Sequence, residues 1–282
     1  MEKPKSASRP ETERGLQYHL MVKPGDVSRY VLLPGDPERV PLIAKFWDKY
    51  WHVASHREFV TYSGYYKEVF ISATSTGIGA PSTAIAIEEL ARVGAEVFIR
   101  TGTTGALRRG IKIGDLVISS GAVRLEGTSK HYIMPEYPAV ASYDVLLALV
   151  EAAETLGVRY HVGLTASSDS FYVGQERPGF NDYLPPFQRG LLEHLRSANV
   201  LNLEMEASTI FVLSNIYNLR AGAVCAVIAN RETEEFVPGA GVEDAIKVAN
   251  EAVRILVGWD EELRKQGKKY LSPSIIKEVS RQ

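Results

Sequence analysis

Four short stretches of the sequence combine residue types that could do chemistry. Pro34-Gly35-Asp36-Pro37, with Arg39 close behind, and Gly102-Thr103-Thr104-Gly105, with Arg100 just before it, each set glycine beside an arginine. Glycine lets backbone N–H groups approach an anion, and a following helix adds partial positive charge at its start, so each stretch suits phosphate. Glycine and proline also punctuate ordinary loops, and plain turn chemistry stays open for either stretch alone. Ser167 to Arg177 places Phe171 and Tyr172 ahead of Gln175 and Arg177. A glutamine can donate to one carbonyl while accepting from an adjacent ring N–H, and an arginine only donates. Together they match a flat imide edge such as that of uracil, with Phe171 against a ring or sugar face. The competing reading is a surface loop whose amide and guanidinium face water. In Glu204-Met205-Glu206, Glu206 could accept hydrogen bonds from a vicinal diol of a ribose over an adaptable Met205 floor, or both acids could serve a helix start.

Other chemistries find little footing. The six histidines show no metal-ligand spacing, and neither a P-loop nor a nucleophile elbow is present, so no metal is expected. Gly77-Ile78-Gly79 starts like a dinucleotide loop, but no third glycine follows at the needed offset. A formal charge of −2 offers no field to gather nucleic acid or an acidic membrane, so any anion must be held locally. One cysteine, Cys225, cannot make an intramolecular disulfide and lies in an apolar run, which points to a reducing compartment and a cytoplasmic protein. No apolar run approaches a membrane span, and the polar start lacks the apolar centre of a secretion signal.

These residues need a scaffold, and the alternation of short β-rich runs with longer helical patterns predicts one α/β domain with a central mixed β-sheet covered by helices on both faces, a three-layer αβα arrangement. The boundaries expected are a mobile N-terminal arm over 1–15, the domain over 16–260 and a peripheral C-terminal segment over 261–282. Strands are expected over Tyr30–Leu33, a hairpin over Phe59–Ala73, then Val97–Arg100, Asp115–Val123, His161–Ser167 and Ala221–Ala229. Helices are expected over Pro37–Phe46 with Asp36 as cap, and over Ala84–Val93, Tyr143–Leu156, Pro185–Arg196, Leu203–Asn218 and Gly241–Gly258. Three strand ends carry small polar residues with glycine, and in such sheets ligands bind beyond the carboxyl ends.

Taken together, Leu33 to Val40, Ala54 to Phe59, Arg100 to Gly105, Ser167 to Arg177 and Glu204 to Ala207 resemble the nucleoside phosphorylase family, and within it the uridine phosphorylases, over roughly Tyr18 to Leu256. The resemblance implies reversible phosphorolysis of uridine to uracil and ribose 1-phosphate, with inorganic phosphate as co-substrate and no cofactor. It implies phosphate held by the Gly35 backbone, Arg39, Arg100 and Thr103, with Arg57 reaching in from a neighbouring subunit. The base would be held by Phe171, Gln175 and Arg177, with Arg231 supporting Arg177 or the base carbonyl, and the ribose by Met205, Glu206 and a partner subunit's His19. It further implies sites shared across a dimer, in a homohexamer built as a trimer of dimers, with neither nucleic acid nor membrane as partner. Val173 stands where a proline is usual, Pro178-Gly179-Phe180 follows where a tyrosine is expected, and Leu203 stands where a tyrosine often precedes Glu-Met-Glu. Asn230 lies near an aspartate of purine-preferring relatives, which favours a pyrimidine, and the small Ala229 leaves room for a 5-methyl group. A purine nucleoside phosphorylase of the same fold and a non-catalytic nucleoside-binding protein are the competing functions.

Overall fold

The computed structural model describes residues 6–12 and 15–279; the remainder of the expected arm, 1–5 and 13–14, lies outside the described residues, as do 280–282. In chain order the elements are β1 (Tyr30–Leu33), α1 (Arg39–Ala44), β2 (Lys49–His56), β3 (Phe59–Tyr66), β4 (Val69–Thr74), α2 (Ala80–Arg92), β5 (Val97–Ala106) and β6 (Leu116–Arg124). There follow β7 (Ala139–Val140), α3 (Tyr143–Leu156), β8 (Tyr160–Ser167), α4 (Leu191–Ser197), β9 (Val200–Glu204), α5 (Ala207–Ile216), β10 (Arg220–Asn230), β11 (Glu235–Phe236), α6 (Val242–Lys265) and α7 (Pro273–Val279).

Strand side chains alternate between two apolar layers, as a period of two requires when both faces are covered. Tyr30, Leu32, Val97, Ile99, Val224 and Ala226 pack with α1, α3, α6 and α7. Val31, Leu33, Phe98, Ala221 and Ala223 pack with α2 and α5 on the other side. The chain therefore adopts the anticipated α/β fold with a central mixed sheet and helices on both faces. One feature goes beyond that reading. β5 pairs with β10, β10 with β6, β6 with β8, β8 with β9, and β9 returns to β5 through Gly105↔Leu203 and Ala106↔Asn202, so five of the strands close a ring.

Several boundaries differ from the sequence reading. Thr101–Gly105, anticipated as a turn, lies inside β5, because its backbone is paired with β10 from Arg220↔Val97 to Asn230↔Ala106, across one bulge. The glycines are accommodated since neighbouring strands supply the order their lack of side chain would otherwise remove. Glu204 ends a strand rather than beginning a helix, and α5 starts at Ala207. Gly190, at φ +82, divides the helix anticipated over Pro185–Arg196 into a 3-10 turn at Pro186–Gln188 and α4. α1 begins at Arg39, with Asp36 accepting from the Glu38 N–H at 2.9 Å. α6 runs through Gly258 to Lys265, because Trp259 and the residues around it still face the core, and Ile275 of α7 is fully buried against the same layer. Among the described residues no helix is long and apolar enough to cross a membrane.

Candidate functional site

The parallel strands β1, β4, β5 and β10 end on one side of the sheet, and there lies a cavity of about 730 Å³, a volume suited to a small-molecule ligand. Nine of the twelve residues singled out from the sequence line it: Gly35, Arg39, Arg100, Thr103, Phe171, Gln175, Arg177, Met205 and Glu206. The ring closure explains why they meet. β9 runs antiparallel to β5 at Leu203, so the chain from Glu204 to Glu206 passes alongside Arg100–Thr104. β8 ends with Ser167 opposite Glu204, so the loop bearing Phe171, Gln175 and Arg177 leaves the sheet beside the same junction.

At one end of the cavity lies a cluster of charge. Arg100 is 4% exposed and approaches Glu204 Oε2 with Nε at 2.7 Å, while its Nη2 pairs with Glu206. Its Nη1 is buried without a hydrogen-bond partner. Burial alone would depress this guanidinium, but the two carboxylates overcome it and hold the pKa above its ordinary value. The side chain folds back over Gly102, where a Cβ would stand 2.8 Å from Arg100 Cζ and 2.9 Å from Cys225 Sγ. The Arg39 side chain has neither an ion-pair nor a hydrogen-bond partner among the described residues, and burial and then the neighbouring Arg100 lower its pKa. Two cations beside each other, one of them with an orphaned donor, form a site that an anion would satisfy.

Glu206 is held from several sides. Burial raises its carboxyl pKa, Arg100 opposes this, and Glu204 adds to it. Its Oε1 accepts from the Gly79 N–H at 2.6 Å, at the start of α2, where Gly79 takes φ +92 and so admits the close approach. Glu204, for which the sequence offered only service at a helix start, accepts from the Glu206 and Ala207 N–H groups at 2.8 and 2.9 Å and from Ser167 Oγ. It both anchors the junction and shares Arg100. Cys225 lies below this cluster with its thiol pushed up to about 11 by burial, so it stays protonated at neutral pH.

At the other end stand the amide and the guanidinium. Arg177 Nη1 donates to Phe171 O at 2.8 Å and to Gln175 Oε1, and its Cζ lies 4.2 Å from the Phe171 ring centroid. Burial and the nearby Arg231 push the Arg177 pKa down to about 10. Gln175 is 3% exposed, and its amide NH2 has no partner among the described residues. Because Oε1 faces Arg177, the NH2 is the end left to donate and one Oε1 lone pair is left to accept. Ile228 and Ala229 form the apolar wall together. The register of β10 against β5 jumps between Val227 and Ala229, and this bulge in β10 turns two successive residues toward one cavity. Phe236 of β11 completes the rim.

Three residues lie elsewhere. Arg231 does not line the cavity; it donates through Nη1 to Gln175 O at 2.9 Å and so holds the backbone of the loop that carries Arg177. His19 and Arg57 are also outside the chain's own cavity but close to one another: Arg57 lies over the Tyr18 ring at 5.7 Å, and Tyr18 packs edge-on against His19. Asn230 is 2% exposed, with its amide consumed by Arg108 O, Ile111 O and the Glu232 and Thr233 N–H groups, so it turns away from the cavity. Besides Glu204, the sequence reading missed Glu58, Ile78 and Phe236 as lining residues. Ile78 is 78% exposed and Phe236 64%, an exposure of apolar side chains that only the fold reveals. No group of three or more His, Cys, Asp or Glu side chains converges as a metal site among the described residues.

Comparison with known proteins follows the same lines. A family model described as the phosphorylase superfamily matches residues 29–258. The chain is 62% identical over 275 residues to a uridine phosphorylase of Thermococcus kodakarensis, covering 98% of this chain and 99% of that protein. It is 42% identical over 248 residues to a uridine phosphorylase of Escherichia coli, covering 85% and 98%. A guanosine phosphorylase of Halorubrum lacusprofundi is 44% identical over 214 residues, covering 76% and 83%.

Proposed function

This chain belongs to the phosphorylase superfamily, and on that premise we propose that it is a uridine phosphorylase, a cytoplasmic pentosyltransferase that converts uridine and inorganic phosphate reversibly to uracil and ribose 1-phosphate. The observation that carries the reading is a single cavity with two under-satisfied arginines, Arg39 and Arg100, at one end and the Gln175/Arg177 pair beside Phe171 at the other. A phosphate at the arginines, with the Gly35 backbone and Thr103 beside it, faces a sugar resting on Met205 and Glu206. A phosphate oxygen forms its bond to C1′ of the ribose as the glycosidic bond breaks, and the bonding electrons leave with the base. The sugar is oxocarbenium-like in between, and no protein nucleophile is required. Charge spreading onto the uracil carbonyls strengthens its hydrogen bonds to the Gln175 NH2 and to Arg177 Nη2 as the reaction proceeds, which lowers the barrier rather than merely tightening substrate. The arginines hold the phosphate oriented instead of freely solvated. No resident cofactor is needed.

Arg57 and His19 fit this scheme only from a second copy, since both sit together outside their own cavity. A dimer with shared sites, assembled further into a homohexamer, is the arrangement that uses them. The relative acting on guanosine keeps the purine alternative in view, but Asn230 offers no acid to the base and its amide is already engaged. The test is direct: uracil release from uridine should require phosphate, and guanosine or inosine should turn over more slowly. Uracil release indifferent to phosphate would mark a hydrolase, faster guanosine turnover would move the assignment to purines, and uridine binding without product would leave only a binding protein.

A further inference from the structure

Between Gln175 and Arg177 stands a residue that points the other way. Gln175 and Arg177 line the substrate cavity, whereas Glu176 lines a separate cleft of about 350 Å³ with Gly190, Leu192 and Arg231. Its backbone takes φ +53, a left-handed conformation that a glutamate rarely adopts. Its carboxylate spans the start of α4, with Oε1 accepting from the Gly190 N–H at 2.7 Å and Oε2 from the Leu192 N–H at 2.8 Å. The turn is braced from within by the Gln175 and Arg177 N–H groups, both donating to Tyr172 O at 3.0 and 2.9 Å. From behind, Arg231 holds the Gln175 carbonyl.

We infer that Glu176 is a positioning residue, which by tying the turn to the α4 backbone forces its two neighbours onto the same side and aims them at the base. The inference rests on the reading of the cavity given above. The geometry is specific to this side chain. A left-handed residue reverses the chain locally, so the flanking side chains converge while its own diverges. An unanchored glutamate would relax toward negative φ and rotate Gln175 and Arg177 away from each other. A carboxylate with two acceptor oxygens meets two backbone donors at once; an amide meets only one without placing its NH2 against an N–H. Among the described residues Arg39 and Arg100, on α1 and β5, share no hydrogen bond or ion pair with Glu176, Gly190 or Leu192.

Glu176→Ala, Glu176→Gln and Glu176→Gly in the full chain test the idea, with uridine and phosphate KM measured separately and hydrogen exchange followed at Gly190 and Leu192. Uridine KM should rise about ten- to a hundred-fold in the alanine variant, the scale of a misplaced reacting group, and less in the glycine variant, which adopts the left-handed turn without strain, with phosphate KM unchanged and faster exchange at both amides. Glu176→Gln should fall between these variants and wild type. Wild-type uridine KM in Glu176→Ala, a larger rise in Glu176→Gly than in Glu176→Ala, or an equal rise for both substrates, would overturn the assignment. If Glu176→Ala does not fold, the glutamine variant decides it by the same split. Absence of phosphate-dependent turnover in the wild-type protein would instead overturn the functional reading on which this rests.

Discussion

Gly102→Ala removes no functional group, yet the structure makes it a sharp test of the phosphate end. The added Cβ would stand 2.8 Å from Arg100 Cζ, 2.9 Å from Arg100 Nη2 and 2.9 Å from Cys225 Sγ, where ordinary contact begins at 3.4 Å. Relief requires a shift of about 0.6 Å, close to the spacing by which a hydrogen-bonded contact is lost. Arg100 is the far end of a long side chain and can yield, but it is 4% exposed and cannot yield into water. It must withdraw from Glu204 and Glu206, and the aim of its unpartnered Nη1 goes with it. Overpacking of this kind costs about 1–3 kcal/mol, and if that cost falls on the bound state, phosphate KM rises roughly 5- to 150-fold. Steady-state kinetics with phosphate varied at saturating uridine read the effect, and calorimetric melting reads the share absorbed as instability. Adding Cys225→Ala removes the sulfur contact alone, so it should recover melting temperature and leave phosphate KM high. A Gly102→Ala enzyme with wild-type phosphate KM and wild-type melting would refute the claim that Arg100 is held in place by the empty space over Gly102.

Further expectations address the other parts of the site. Gln175→Ala should lower kcat for uridine by about 10²–10³, the usual effect of deleting one preorganised donor, with phosphate KM unmoved. Ala229→Ile fills the apolar wall, so kcat/KM for thymidine should fall about ten-fold or more relative to uridine. Arg57→Ala and Glu206→Gln should each be nearly inactive alone, and co-refolded mixtures should recover activity at about a quarter of the sites, because a mixed dimer keeps one intact site; no recovery would show that the sites are not shared. Burial raises the Glu251 carboxyl, but hydrogen bonds from Lys67, Arg254 and Tyr66 more than reverse this and leave its pKa lowered. Folding therefore favours the ionised form, giving stability that is present above the unfolded carboxylate value, about 4.3, and lost as pH falls through the folded value. Glu251→Gln should lower the melting temperature at pH 7, and the difference should shrink below about pH 4.

Much of the site was legible because the signals are local. Strand ends are marked by Pro34-Gly35 and Ser75 to Pro81, and Gln175 and Arg177 announce their chemistry by type and spacing. What was illegible depends on partners far along the chain. Thr101–Gly105 looks like a turn by composition, but its conformation is decided by β10, more than 100 residues later. Glu204 looks like a helix-start acid, and its service to Arg100 appears only once β9 is laid against β5. Sequence placed Arg231 beside the right loop but could not choose its atom, since a guanidinium that can support a neighbouring side chain can equally reach the backbone behind it, here Gln175 O. Nothing in the sequence around Ile228 signals that two successive side chains share one wall, because a bulge is a matter of register between strands.

The closed hoop of β5, β10, β6, β8 and β9 has an implication for how such a site can change over time. A strand at the margin of an open sheet can slide by a residue or drop away, but a strand in a hoop is pinned by neighbours on both flanks and cannot slip without breaking two ladders. Insertions and deletions are thereby steered out of β5, β9 and β10 and into the segments that leave the hoop, those spanning 168–190 and 231–241. Arg100 and Thr103 of the anion end and Ile228 and Ala229 of the apolar wall are frozen within the hoop, while the loop that carries Phe171, Gln175 and Arg177 leaves it and is free to be rewritten.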